Sequence, residues 1–429
     1  MRGLQTPVRA IRRQVFTEVA KLGFKANAET LVADMEAIPY EIVGEDSEVK
    51  YRESIYRARA VVRERLRLAM GLSLRPENKP VHLTAGVEAS NISEKYYEPP
   101  LMQVIPSGCE SCEENKYEVS NVCKGCLAHP CQEVCPRGAI SMVNGKSFID
   151  QDKCIKCGKC KSVCPYDAIA KKERPCKKAC GVNAITSDKL GRAYIDADKC
   201  VSCGMCMVSC PFGAISDKSQ IFQLARALSE GEEIVAEVAP AFVGQFGSNI
   251  NVRNFKAALE ELGFSETYEV ALGADIGAIA EAHHYVNKVT TGELPFLLTS
   301  CCPSWAMLAK KFFPDLIDQI SQELTPMVAT ARTIKQEHPN AKVVFIGPCA
   351  AKKLEAMRRT VRSEVDFVLT FEEMSGIFAA KDLDLEAMHE DVDGVNDVSA
   401  DGRNFAVSGG VAQAVVDVIK KEYPDKEIK

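Results

Sequence analysis

Nineteen cysteines are spread over 429 residues; sixteen lie between Cys109 and Cys210, and the others are Cys301, Cys302 and Cys349. Two segments have the spacing C-x2-C-x2-C-x3-C-P: Cys154, Cys157, Cys160 and Cys164 before Pro165, and Cys200, Cys203, Cys206 and Cys210 before Pro211. Three thiolates within seven residues can wrap three corners of an iron–sulfur cubane, while the cysteine ahead of the proline is carried off to a different cluster. Zinc instead takes two separated pairs around one tetrahedral ion and has no use for a third close cysteine. Disulfides are a product of oxidising compartments, and no export signal opens the chain. Metal-ligating thiols in a reducing, cytoplasmic setting are therefore expected.

Each motif needs a partner to complete two cubanes. Upstream of the first lies Cys123-x2-Cys126-x4-Cys131-x3-Cys135-Pro136, whose insertion contains His129. The imidazole is a possible ligand, but four cysteines already suffice and a loop role is expected. Crossing the fourth cysteines gives one cluster on Cys123, Cys126, Cys131 and Cys164, and another on Cys154, Cys157, Cys160 and Cys135. The second motif has half a partner in Cys176-x3-Cys180; the other half is Cys109-x2-Cys112, if residues 113–175 are an insertion. Gly138-Ala139-Ile140 leading to Ile149-Asp150-Gln151-Asp152-Lys153-Cys154 matches Asn183-Ala184-Ile185 leading to Ile195-Asp196-Ala197-Asp198-Lys199-Cys200, so one unit occurs twice. The outer clusters then take Cys200, Cys203, Cys206 and Cys180, and Cys109, Cys112, Cys176 and Cys210. Sixteen thiols divide into four cubanes with none left over. The competing reading places zinc or free thiols at Cys109/Cys112 and Cys176/Cys180. Several low-potential clusters in series form an electron wire, with chemistry at one end.

The elements around that wire follow from periodicity. Residues 1–75 read as helices, with Ile11, Val15, Val19 and Leu22 on one face and Ile55, Ala58, Val62, Leu66 and Ala69 on another; the stretch to Pro106 reads as a linker. From residue 216 helical stretches alternate with β-prone runs: a helix over Ile221–Leu228, strand Ile234–Val238, a helix through Phe255–Leu262, a helix at 274–288, and strands Pro295–Leu298, Val343–Ile346 and Phe367–Leu369. That alternation argues for an α/β layered domain. Cys301, Cys302 and Cys349 sit where strands run into helices, beside backbone N–H donors that favour thiolate. The net charge of −6 (53 basic, 59 acidic) marks no nucleic-acid surface, and no apolar run is long enough to span a membrane.

At Thr299-Ser300-Cys301-Cys302-Pro303-Ser304-Trp305 and Pro348-Cys349-Ala350-Ala351-Lys352-Lys353-Leu354-Glu355 the chain resembles the [FeFe]-hydrogenases. The resemblance covers about 105–429. It implies α+β ferredoxin-like iron–sulfur domains over 101–215 (inner unit 113–175), an α/β iron-hydrogenase domain over 216–429, and a helical N-terminal region over 1–100 that adds nothing to it. It further implies that Cys302 and Cys349 bind the cubane of an H-cluster, a [4Fe-4S] group joined to a two-iron centre. Cys301 would be the proton-passing thiol and Lys352 the donor to a cyanide ligand. Glu281 and Ser321 stand where the family places further proton-relay groups, on spacing alone.

Departures are visible. Gly347-Pro348-Cys349 replaces Met-Pro-Cys, Thr325-Pro326-Met327-Val328 replaces Ser-Pro-Gln-Gln, and Ala239-Pro240-Ala241 ends in alanine where serine is common. The family's third motif supplies two cysteines spaced C-x3-C, whereas no cysteine follows Cys349; after Ser408-Gly409-Gly410-Val411 the chain runs to Lys429. A C-terminally truncated or split reading frame is expected, with the H-cluster incompletely ligated. The implied activity is reversible proton reduction to H2, with ferredoxin or a similar one-electron carrier and hydrogenase maturation proteins as partners. The rival is a non-catalytic electron-transfer or redox-sensing protein. An NAD-linked subunit is disfavoured, because no G-x-G-x-x-G follows a strand.

Overall fold

A computed structural model describes residues 6–25, 27–45, 52–358, 361–388, 398–426 and 428. The first helix, Pro7–Lys25, buries Ile11, Val15, Phe16, Val19, Ala20 and Leu22. These are the positions three and four apart that form one helical face. That face enters the same apolar core as the C-terminal half of the chain, between helices Ile221–Ser229 and Phe371–Ala380. Contact is close enough to require glycine. A Cβ on Gly23 would stand 2.7 Å from the Ala225 Cβ, and one on Gly376 2.6 Å from the Phe16 Cβ.

The stretch expected to be a linker is a pinned strap with one short helix, Val87–Ser90. Its backbone carbonyls are claimed by cations of the folded body: Arg67 donates to Leu83 O and Ala85 O, and Lys342 to Ser93 O. Lys95 in turn reaches Ala356 O and Val365 O. These side chains pair backbone groups that would otherwise be buried without partners, which fixes the stretch in place.

The cysteine-rich block is made of short antiparallel pairs. β1 (Met102–Val104), β2 (Lys116–Val119), β3 (Ile140–Val143), β4 (Lys146–Ile149), β5 (Ile169–Lys172), β6 (Ile185–Ser187), β7 (Ala193–Ile195) and β8 (Ile215–Asp217) follow one another. β1 pairs with β8 (Met102↔Asp217), joining the two ends of the block. β2 pairs with β5 (Lys116↔Lys172), so the chain enters and leaves the inner unit at one place. Two hairpins, β3–β4 and β6–β7, occupy matching places in the two units. The first turns on Asn144-Gly145, both at positive φ, the pairing that a two-residue hairpin favours.

Beyond the block, β9 (Ile234–Val238), β10 (Glu266–Glu269), β11 (Lys342–Gly347) and β12 (Phe367–Thr370) form a parallel sheet ordered β10-β9-β11-β12. β10 has no apolar run to announce it in the sequence. The expected strand Pro295–Leu298 does not join the sheet; only Leu298 makes a single parallel bridge, to Ile320. Pro295 has no N–H to give a ladder, and Phe296 is largely exposed. The bridge nonetheless aligns the segments that follow, bringing Ser300 beside Ser321.

Candidate functional site

Three of the four expected cysteine sets line pockets of their own. Cys109, Cys112, Cys176 and Cys210 surround one; Cys135, Cys154, Cys157 and Cys160 a second; Cys123, Cys126, Cys131 and Cys164 a third. Each is walled largely by apolar side chains, Ile215, Ile149 and Ile169 among them. The fourth set, Cys180, Cys200, Cys203 and Cys206, is also gathered, since Cys206 senses the charges of the other three. Among the described residues no three or more His, Cys, Asp or Glu side chains converge on a single-ion site. Four thiols around one apolar pocket, without convergence on a single point, suit a polynuclear cluster better than one tetrahedral ion.

The local backbone repeats at the leading C-x2-C turn of all four cysteine sets. The residue before the second cysteine is left-handed each time: Ser111 (φ 45°), Gly125 (58°), Lys156 (59°) and Ser202 (54°). That twist turns N–H groups inward, so Lys156 N donates to Cys154 Sγ and Ser202 N to Cys200 Sγ, both at 3.4 Å. Four residues after each crossing cysteine an alanine N–H donates to its sulfur: Ala139 to Cys135, Ala168 to Cys164, Ala184 to Cys180 and Ala214 to Cys210 (3.3–3.4 Å). Ser111 carries most weight, because Cys109-x2-Cys112 alone is an ambiguous motif. Backbone donors to sulfur stabilise thiolate and tune a bound cluster. Burial works the other way, pushing the Cys176 thiol up to about 11 and Cys206 to about 12. A cluster binding there must displace those protons. Arg174, itself buried, holds the junction of the two units by donating to Cys112 O, Thr186 O and Gly191 O.

At the other end, Cys302 immediately precedes helix Pro303–Phe312, and Cys349 leaves β11 just before helix Ala351–Met357. Cys349 is pushed up by burial, pulled down by the Ala351 N–H and raised again by neighbouring Cys302. Burial likewise raises Cys301, against the Lys352 charge. Loss of solvent thus works against the thiolate that the backbone N–H groups at these helix starts favour. Lys352 Nζ donates to Cys301 O (3.2 Å) and Glu355 Oε2 (2.7 Å), linking the two motifs. Glu281, on helix Ala271–Lys288, is buried and accepts from the Ser321 hydroxyl and the Ser300 N–H. Glu281 and Ser321 are thus brought together, next to Cys301. Gly347 has its own reason: a Cβ there would meet the Phe345 ring at 2.4 Å.

Two groups escaped the sequence reading. Glu237, in the middle of β9, is fully buried, and neither carboxyl oxygen has a hydrogen-bond partner among the described residues. Desolvation raises its pKa well above 4.5, partly countered by Lys352. Lys353 is buried between Asp217 Oδ2 and Glu373 Oε1, both at 2.7 Å, and donates to Lys218 O. The only advance sign was the Lys-Lys pair; the partners lie 136 and 20 residues away.

The relay and this end are in direct contact. Ser304 Oγ donates to Val201 O at 2.9 Å, and Met307 and Leu308 pack, with Cys180 and Cys200, against the cluster of Val182, Ala184 and Val201. Lys311 donates to Cys200 O, and Leu354 packs against the outer cysteines. Both cysteine motifs of the C-terminal half therefore rest on the outer unit. Against the four cysteine sulfurs an H-cluster takes, however, the chain presents Cys302 and Cys349, with Cys301 as a third thiol beside them. These residues do not complete that group.

Residues 232–429 match the family model described as iron only hydrogenase large subunit, C-terminal domain. Residues 153–214 match a 4Fe-4S dicluster domain, and 123–174 the LdpA Fe-S cluster-binding domain. Iron hydrogenase 1 of Clostridium pasteurianum is 27% identical over 237 residues, 49% of this chain and 41% of that protein. The cytosolic Fe-S cluster assembly factor NAR1 of Kluyveromyces lactis is 28% identical over 151 residues, 33% of this chain and 32% of its own length. The chain thus aligns with less than half of either relative. Among solved structures, the [FeFe]-hydrogenase HydA1 of Chlamydomonas reinhardtii superposes with a TM-score of 0.39 at 25% identity, covering 48% of this chain and 59% of that one.

Proposed function

We propose, for a chain whose residues 232–429 belong to the iron-only hydrogenase large-subunit family and diverge within it, an iron–sulfur oxidoreductase of the hydrogenase type. Four [4Fe-4S] clusters, one on each cysteine set, carry electrons between a one-electron carrier of the ferredoxin kind and a terminal site at Cys301, Cys302, Cys349 and Lys352. The supporting observation is the seating of both terminal motifs on the outer cysteine unit, through Ser304, Met307, Leu308 and Leu354.

The clusters supply one-electron steps of low potential. The chain's own residues do the rest. Apolar walls line the cysteine pockets, and the inward N–H groups compensate thiolate charge. At the terminal site Lys352 holds the two motifs in register. The Cys301 thiol and the Glu281 carboxyl are the groups there able to hold a proton, with Ser300 and Ser321 between them. Protons and electrons so converge on one place, as proton reduction to H2 requires. Coexpression with hydrogenase maturation proteins, followed by a hydrogen-evolution assay with reduced ferredoxin, tests this. Gas production that disappears in Cys301→Ala supports the enzyme; reducible clusters without gas refute it.

A second reading is favoured by one observation, the presence of two anchoring cysteines where an H-cluster takes four. On this reading the chain transfers electrons or senses redox state without hydrogen chemistry, and the terminal thiols serve a different cluster. The similarity to the NAR1 assembly factors fits that reading too.

A further inference from the structure

The repeated cysteine unit provides an internal control for which surfaces meet protein. In the outer copy, Cys200-Val-Ser-Cys203-Gly-Met-Cys206-Met-Val-Ser-Cys210 contains no charged residue. Its Val201 and Ser202 are buried (3% and 7% exposed), and the helix behind Cys302 lies on Val201 through Ser304, Met307 and Leu308. The inner copy, Cys154-Ile-Lys-Cys157-Gly-Lys-Cys160-Lys-Ser-Val-Cys164, has the same left-handed residues: Lys156 matches Ser202 (φ 59° and 54°) and Gly158 matches Gly204 (80° and 75°). Its equivalent face is open. Ile155, opposite number of Val201, is 57% exposed, and Lys156, Lys159 and Lys161 point to solvent, while Cys157 is exposed just as its counterpart Cys203 is. None of the three lysines has an ion-pair partner among the described residues, although their neighbours Lys153, Lys171 and Lys172 do.

The same backbone surface is therefore protein-covered and uncharged in one copy, and apolar at its centre with three free cations in the other. The segment from Cys154 to Cys164 holds three lysines and no acid in a chain of net charge −6. A face of this kind suits an acidic protein that must come close to the cluster beneath Cys157. We propose that Ile155, Lys156, Lys159 and Lys161 form the docking face for an acidic one-electron carrier protein, through which electrons reach the Cys135/Cys154/Cys157/Cys160 cluster. This rests on the relay reading above and adds where the partner binds and by what chemistry.

The test uses the full holoprotein and a purified acidic [2Fe-2S] ferredoxin, reduced and mixed in stopped flow. The wild-type second-order rate falls steeply with salt. In the triple variant Lys156→Glu, Lys159→Glu, Lys161→Glu it drops about tenfold or more at low salt and loses that dependence. Ile155→Ser, which leaves charge alone, lowers saturation affinity with little change in salt response. Dithionite end-point reduction, read by electron paramagnetic resonance, keeps the two readings apart. If wild-type clusters do not reduce, the relay reading fails. If they reduce equally in wild type and triple variant while the ferredoxin rates agree within about twofold, the docking face is wrong. Self-association of the wild type that the triple variant abolishes also overturns it, by assigning the face to a second copy.

Discussion

Lys353 is a buried ammonium with two carboxylates, one from β8 at the end of the cysteine block and one from helix Phe371–Ala380. Removing it in Lys353→Met leaves Asp217 and Glu373 as like charges in the interior, a loss of about 3–5 kcal/mol in denaturant unfolding. A loss under about 1 kcal/mol would mean that water reaches the triad. Asp217 is held below its ordinary 3.8: desolvation pushes it up, but the charge and hydrogen bond of Lys353, with the Arg12 charge, together pull it further down. Its contribution is thus present above pH 3.8 and vanishes as pH falls through the depressed native value, so acid unfolding of the wild type includes this step. Glu237 has the opposite sign. Its raised native pKa makes its contribution complete below pH 4.5 and lost as pH climbs through the native value. Glu237→Gln should therefore flatten the decline in stability between mildly acidic and alkaline pH, measured as Tm against pH. An unchanged slope would show that another group is responsible.

Among the elements, the first helix has the most to teach. Its apolar face is plain in the sequence, but its partners are helices some 200 and 350 residues later, touching it at Gly23 and Gly376. Gly23→Val should overpack that crossing and cost about 1–3 kcal/mol, with little effect on iron content. Thermal unfolding monitored by circular dichroism reads the first quantity and iron analysis the second. A neutral result would place the helix off this core. The hairpins and C-x2-C turns behave differently. They are local, set by Asn144-Gly145 and by left-handed residues; cysteine spacing announced the turns and the doubled segment the repeat, while the hairpins themselves went unread.

For the molecule as a whole, the four cysteine sets imply about sixteen relay iron atoms. Cys112→Ser should remove about four of these and one paramagnetic signal, while leaving the inner unit's signals in place. Iron unchanged, with zinc bound instead, would restore the zinc reading of Cys109/Cys112. Stripping the iron with a chelator under reducing conditions should unfold the block between β1 and β8 before the sheet β9–β12. The block's small cores are built around its cysteines, whereas the sheet has an extensive aliphatic core of its own.

Cysteine spacing and the doubled Ala-Ile…Asp-Lys-Cys segment were enough to sort sixteen thiols into four sets. A ligand loop is short, and its geometry is dictated by covalent separation and a few backbone angles. The α/β alternation of the C-terminal half could be read from hydrophobic period for the same reason. What tertiary structure alone decided lies between segments far apart in the chain: the Lys353 triad, the unpartnered Glu237, the joint Glu281–Ser321–Ser300 site and the seating of helix Pro303–Phe312 on Val201. Such contacts are set by which faces remain to be buried once every element has formed, and linear periodicity carries no record of that choice.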